Sequence, residues 1–140
     1  RLIRPGRGEN EVEFTSVSNI VDFMEKLIHV QKEFMGQSYN VSNDKPVRLW
    51  EFIESGLKLM GEKPKLKTLP QGLLMFLSRL SEFFSKLLGK SEEPKLLPLK
   101  IGVASYSMTL NIEKAKAAGY EAKQTNLEAL EEFARWYSAR

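Results

Sequence analysis

A chain of 140 residues with 42% hydrophobic and 28% charged residues has the composition of a folded domain with its own core, which excludes a disordered segment. The net charge of +3 falls short of the clustered cations and stacking aromatics that a nucleic-acid footprint requires, so no nucleic-acid partner is expected. With no Cys, disulfides, a thiolate nucleophile and a Cys-ligated zinc are excluded, and a reducing, cytoplasmic setting is expected.

In chain order, residues 4–10, with Pro5, Gly6 and Gly8, read as a turn-rich loop, and residues 11–17 alternate well enough for a short strand. Ser18 or Asn19 stands where it can cap a helix. Its apolar residues Ile20, Met24, Leu27, Ile28 and Phe34 recur near helical spacing, and Gly36 supplies a left-handed stop after about Met35. Residues 38–42 are expected to form a brief strand and residues 43–46 a turn. Leu49, Phe52, Ile53, Leu57 and Met60 then form the buried stripe of a second helix, which Gly61 ends.

Residues 65–69 alternate weakly as a strand, and Pro70 occupies the first turn of the most regular helix in the chain. The stripe of Leu73, Phe76, Leu77, Leu80, Phe83, Phe84, Leu87 and Leu88 predicts a buried face closed off by Gly89. Arg79, Glu82 and Lys86 interrupt this apolar stretch, so it is not expected to cross a bilayer, and no basic-then-apolar leader opens the chain. Residues 91–101 carry two prolines and no clear period, and read as a loop. Asn111 caps a short helix over 112–118 that stops at Gly119. Thr125 with Glu128 forms a capping box for a last helix predicted to bury Leu127, Leu130, Ala134 and Tyr137. The fold class that follows is α+β, mostly helical with a few short strands.

Several short motifs occur in a telling order. Val12-Glu13-Phe14-Thr15-Ser16-Val17-Ser18-Asn19 is followed by Gly36-Gln37-Ser38-Tyr39-Asn40-Val41 and by Pro46-Val47-Arg48-Leu49-Trp50. Leu69-Pro70, Asn111-Ile112-Glu113-Lys114-Ala115, Gly119-Tyr120 and the run from Leu127 to Trp136 come after them. In that order they resemble the carboxy-terminal half of extended short-chain dehydrogenases, within the NAD-dependent epimerase/dehydratase superfamily. Asn19 and the run from Asn43 to Trp50 are most similar to its hydroxysteroid and sterol-carboxylate dehydrogenase branch.

The resemblance implies that residues 1–140 form a single substrate-binding lobe. This would be the C-terminal lobe of an extended Rossmann-type dehydrogenase lacking the dinucleotide-binding half. The enzyme so implied is an NAD(P)-dependent oxidoreductase or epimerase that moves a hydride between nicotinamide and a secondary alcohol or ketone. Two marks of that chemistry are absent from the chain. There is no Gly-x-x-Gly-x-x-Gly turn between a strand and a helix, and no Tyr is followed four residues later by Lys. No catalytic or cofactor-binding residue is therefore expected here. NAD or NADP would belong to the parent enzyme, and the first partner of this lobe would be the missing N-terminal dinucleotide-binding half.

Nucleotide-sugar members of the family place an Arg where this chain has Val12, and a second one near residues 105–107, where none stands. Losing both charge-assisted phosphate contacts shifts the expected substrate toward a small apolar, sterol- or lipid-like molecule. Phe14, Thr15, Leu73, Phe76 and Leu77 are the candidate substrate-binding residues. Val17, Asn19, Tyr39, Trp50, Gly119 and Tyr120 are those that match the family's structural motifs.

His29 falls on the polar side of its helix and reads as a surface residue; one His with scattered carboxylates makes no metal site. Asn19 reads first as a helix cap and second as a residue shaping the floor between lobes. Strand edges left open by an absent half would favour a homo-oligomer. Between Lys63 and Lys100 eight basic residues face three acids, so an anionic membrane surface is a further candidate partner. The alternative to the dehydrogenase lobe is a stand-alone, non-catalytic module that binds an apolar ligand or a protein partner.

Overall fold

The computed structural model describes residues 2–29, 31–89 and 96–139. Among them six helices dominate: α1 Val17–Ile28, α2 Leu49–Leu59, α3 Gln71–Leu87, α4 Pro98–Val103, α5 Glu113–Ala117 and α6 Asn126–Ser138. Four short strands accompany them: β1 Leu2–Pro5, β2 Glu11–Val12, β3 Val47–Arg48 and β4 Leu66–Leu69. β1 runs parallel to β4, with Leu2 opposite Leu66 and Pro5 opposite Leu69, and β2 runs antiparallel to β3. The architecture is helical with short strands, in keeping with an α+β class.

Local chemistry explains the helices that the sequence delimits well. Thr125 accepts from the Glu128 amide at 3.3 Å while the Glu128 carboxylate accepts from the Thr125 amide at 2.8 Å, so α6 opens on a complete capping box. Asn111 Oδ1 accepts from the Glu113 amide at 3.0 Å at the start of α5, and Gly119 follows that helix at φ +92°.

Other expectations are corrected. Arg4 and Pro5, expected within a turn-rich loop over 4–10, belong to β1, whose backbone pairs with β4 more than sixty positions away. The strand expected over 11–17 is only Glu11–Val12, and residues 38–42 form no strand. α1 ends at Ile28 rather than Met35, with a separate 3₁₀ turn over Lys32–Phe34. Its cap is Ser16, not Ser18 or Asn19: the Ser16 hydroxyl accepts from the Asn19 amide at 3.2 Å. The loop expected over 91–101 includes the start of α4, with Pro98 in its first turn; residues 91–95 lie outside the described residues.

Three helices turn their apolar stripes differently from expectation. α1 buries Asn19 and Phe23 and leaves Ile20, Met24 and Ile28 exposed. α3 buries Leu74 and Ser78, while every residue of its predicted stripe is at the surface. α6 buries Asn126 and Ala134 and exposes Leu127 and Tyr137. Periodicity marks an apolar face; it carries no information about which way that face points.

One core cluster joins α1 to α5. Phe23 meets Tyr120 edge-on at 5.1 Å and Tyr39 at 5.5 Å, and Ile112, Ala115 and Ala118 close the cluster. The Tyr120 hydroxyl donates to the Ser42 carbonyl at 2.6 Å. Trp50, buried on α2, donates through its indole N–H to the Ala104 carbonyl at 3.0 Å and so ties α2 to the end of α4.

The remaining tie is polar. Asn19 is only 1% exposed, and its amide Nδ2 donates to the Gln124 carbonyl and to Asn43 Oδ1, both at 2.8 Å, while its Oδ1 accepts from the Gln124 amide at 2.9 Å. Asn43 Oδ1 also accepts from the Ser16 amide at 2.9 Å, and Asn43 Nδ2 donates to Asn126 Oδ1 at 3.0 Å. Asn126 Nδ2 donates to the Lys45 carbonyl at 2.7 Å. Three buried asparagines thus connect α1, the segment 42–45 and the start of α6, each end of the series resting on backbone groups.

Asn19→Asp keeps the shape but places a carboxylate against the Gln124 carbonyl and Asn43 Oδ1, both acceptors. The expected loss at neutral pH is on the order of 3 kcal/mol in denaturant unfolding. The introduced carboxylate has a folded-state pKa raised by burial and by facing acceptors. The deficit is therefore smallest below the unfolded-state value and grows as pH rises through the folded-state one. Tyr120→Phe orphans the Ser42 carbonyl and should cost about 1–3 kcal/mol. In the native chain burial, with Asp44 nearby, raises the Tyr120 pKa above its usual value. The stability tied to its protonated hydroxyl is complete below the unfolded-state pKa and is lost as pH rises through the raised one; an alkaline melt series in which the two proteins do not converge would contradict this.

Candidate functional site

A cavity of about 780 Å³ opens between α2, α6 and the segment 14–18 that leads into α1. It lies within the range of small-molecule sites, roughly 300–1,000 Å³. One wall is the apolar stripe of α2, Leu49, Phe52, Ile53, Leu57 and Met60, which is only half-buried because it faces the cleft. The opposite wall comes from α6: Ala129, Leu130, Phe133 and Trp136. Phe14 stacks on Phe52 with ring centroids 4.6 Å apart and planes 22° from parallel, which joins the segment before α1 to the α2 wall.

Gly56 sets the spacing of the two walls. A Cβ there would come within 3.0 Å of Leu130 Cδ1, so the bare backbone of α2 lets the α6 leucine reach across. The polar side of the cleft is the asparagine series itself: Ser16, Asn43, Gln124 and Asn126 all line it. Thr15 also lines it and spends its hydroxyl hydrogen on the Val41 carbonyl at 2.8 Å. Among the described residues Glu132 is the only ionisable one of the lining, and its Oε2 accepts from Gln124 Nε2 at 2.6 Å.

Among the described residues no Tyr, Lys, His or Arg lines the cleft. The arrangement can desolvate an apolar body and offer amide and hydroxyl groups to one polar end, which is binding chemistry without a proton-transfer pair. The Gly6–Gly8 turn does not have the form of a dinucleotide cradle. Gly6 and Gly8 have φ of +62° and +73°, but the turn they make leads into β2 rather than onto a helix N-terminus. A Cβ at Gly8 would lie 2.5 Å from Arg4 Cδ and 3.1 Å from Trp50 Cδ1, so packing accounts for that glycine. Among the described residues no group of His, Cys, Asp and Glu could hold a metal ion.

The candidate residues fall in two places. Phe14 and Thr15 line the cleft, while Leu73, Phe76 and Leu77 sit on α3 and take no part in it. Val17, first residue of α1, lines the mouth and is 75% exposed. Asn19 lies directly beneath the polar side; Tyr39, Gly119 and Tyr120 belong to the α1–α5 cluster and its turn, and Trp50 to the α2–α4 contact. Sequence reading missed Phe52, Ile53, Phe133, Asn43, Gln124 and Asn126 as a site. Their one signal is a glycine, Gly56, set within an aromatic-rich helical stripe that must face something other than close packing.

Comparison with known proteins places the chain in a family. No family model matches the chain. It is 33% identical over 121 residues to the 3beta-hydroxysteroid-dehydrogenase/decarboxylase isoform 1 of Arabidopsis thaliana, covering 79% of this chain and 27% of that protein. Isoform 2 from the same plant is 31% identical over 121 residues, 79% of this chain and 21% of the relative. The sterol-4-alpha-carboxylate 3-dehydrogenase, decarboxylating, of Mus musculus is 29% identical over 133 residues, 90% of this chain and 36% of the relative. The chain thus spans between a fifth and about a third of the length of these relatives. With these similarities running across most of its residues, the chain belongs to the extended short-chain dehydrogenase/reductase family and is most like that family's hydroxysteroid and sterol-carboxylate dehydrogenase branch.

Proposed function

We propose that the chain is the substrate-binding C-terminal part of an NAD(P)-dependent oxidoreductase that acts on a secondary alcohol or ketone of an apolar, sterol-like substrate. The observation that carries the proposal is the cleft between α2 and α6. Two largely hydrocarbon walls meet a short polar side of amides and hydroxyls, which suits a rigid apolar body bearing one oxygen function. The named activities of the relatives point to the same substrate class.

Hydride transfer is assigned to a second body that supplies the dinucleotide and the proton-transfer pair. Two surfaces support that division. β1 and β4 form a parallel pair of only two strands, with Leu2 39% and Ile3 47% exposed, whereas parallel strands ordinarily sit covered within larger sheets. Val17, Ile20, Val21, Met24 and Ile28 form a continuous exposed apolar face of α1, as a helix that packs beneath another layer would. The chain by itself binds substrate and does not turn it over.

Trp136 lies in the cleft wall and makes binding visible in fluorescence. Titration with a 3β-hydroxysteroid and its 3-oxo counterpart should give a saturable change that Ile53→Asp weakens at least about tenfold, since it buries a charge against the ligand. Gly56→Ala should weaken binding severalfold by pushing Leu130 into the cleft, while the helix gains about 1 kcal/mol of intrinsic propensity, so its melting temperature should not fall. The dinucleotide alone should leave the fluorescence unchanged. A steroid titration without saturation, or one that ignores both substitutions, contradicts the assignment.

A further inference from the structure

The lining of the cleft between α2 and α6 carries a formal charge at one point. Hydrocarbon and aromatic walls meet the neutral groups of Ser16, Asn43, Gln124 and Asn126, and among the described residues Glu132 on α6 adds the single carboxylate. Its position follows from the amide series. Asn19 fixes the Gln124 backbone from both sides, at 2.8 Å and 2.9 Å, and the Gln124 side chain reaches along α6 to donate from Nε2 to Glu132 Oε2 at 2.6 Å. Among the described residues nothing donates to the other carboxylate oxygen, Oε1, and no cation pairs with Glu132. Nearby charges do not cancel it. The adjacent pocket shares Ser18 and Gln124 with the cleft and is lined by Lys123 and Arg135 against Glu128 and Glu131, so its charges balance; Lys123 is bound to Asp22 at 2.7 Å, and Glu128 to the Thr125 amide at 2.8 Å.

From this placement we infer that Glu132 sets the charge specificity of the cleft. It admits an apolar body whose polar end is a neutral hydroxyl or, more tightly, an ammonium, and it turns away one whose polar end is a carboxylate. The inference rests on the substrate-binding reading of the cleft and narrows it to ligands without an anionic group at that end. A ligand carboxylate there would give up part of its hydration, find no cationic partner in the lining and face a like charge. A hydroxyl or an ammonium instead donates to Glu132 or to the acceptors beside it. Thr15 acts in the same direction, since its hydroxyl hydrogen is committed to the Val41 carbonyl at 2.8 Å and its oxygen can otherwise only accept. Glu132 is exposed to solvent, so water screens it and the selectivity is severalfold rather than an absolute block.

Three ligands on one steroid body, differing only in a 3β-hydroxyl, a 3β-ammonium or a 3-carboxylate, test this by titration against the Trp136 fluorescence of the purified chain at neutral pH. The ammonium should bind about three- to tenfold more tightly than the alcohol and the carboxylate more weakly by a similar factor, with both gaps narrowing as salt is raised. Glu132→Gln keeps an oxygen for Gln124 Nε2 at an exposed position, so the alcohol should hold its affinity within about twofold while the order among the three collapses. Glu131→Gln removes the same charge one residue away, outside the cleft lining, and should leave the order intact. Equal affinities for the three ligands, or a Glu132→Gln variant that shifts all three alike, overturn the inference and leave the substrate-binding reading standing. A Glu131→Gln variant that collapses the order as fully also overturns it, by assigning the selection to net charge. Saturation by none of the three overturns the substrate-binding reading and the inference together.

Discussion

The structure depends on a directional series of buried amides. Asn19 is held from both sides by the backbone of Gln124, which fixes which end of its amide is oxygen. Asn43 must then accept from Asn19 and donate onward to Asn126, which donates to the Lys45 carbonyl. Each orientation is dictated by the previous one, and both termini rest on groups whose polarity cannot invert. Elements far apart in the chain, α1 and the start of α6, are thereby locked in one relative placement by groups that would be costly to bury unpaired.

That lock places the cleft. α1 cannot shift without Ser16 and Asn19, nor α6 without Asn126, so the segment 14–18 and the α6 wall are presented to α2 at a set distance. Gly56 then allows Leu130 to close on α2, and the Phe14–Phe52 stack joins the third side. The apolar walls are half-exposed because the fold spends its polar order on position and leaves its hydrocarbon facing the space between.

Much of the helical framework was legible in the sequence. The Thr125–Glu128 capping box, the glycine stops after α2, α3 and α5, and the extent of α2 rest on interactions within a few residues, which a pattern can express. What escaped depends on partners remote in sequence. The parallel pairing of β1 with β4 is set by backbone groups some sixty residues apart. The Asn19 side chain looks like a cap until Gln124, a hundred positions on, is seen beside it. The inverted faces of α1 and α3 share that cause: both helices carry apolar residues in excess of what one contact buries. For the cleft, Phe14 and Thr15 were legible through the motif that contains them, while the α2 stripe read as core because a lined cavity and a packed interior present the same spacing.

The overlap between the amide series and the polar side of the cleft constrains how such a site diversifies. Ser16, Asn43, Gln124 and Asn126 each serve the fold with groups they would also present to a ligand. A substitution of Asn43 or Asn126 that retunes recognition of the polar end also unlocks α1 from α6, so viable descendants would keep these two residues nearly constant. The walls of α2 and α6 carry no such double duty, and exchange among Leu, Ile, Met and Phe changes their contour at modest cost. Under the proposed substrate-binding role, lineages built on this scaffold should diverge in the shape of hydrocarbon they accept while retaining the same way of holding its oxygen.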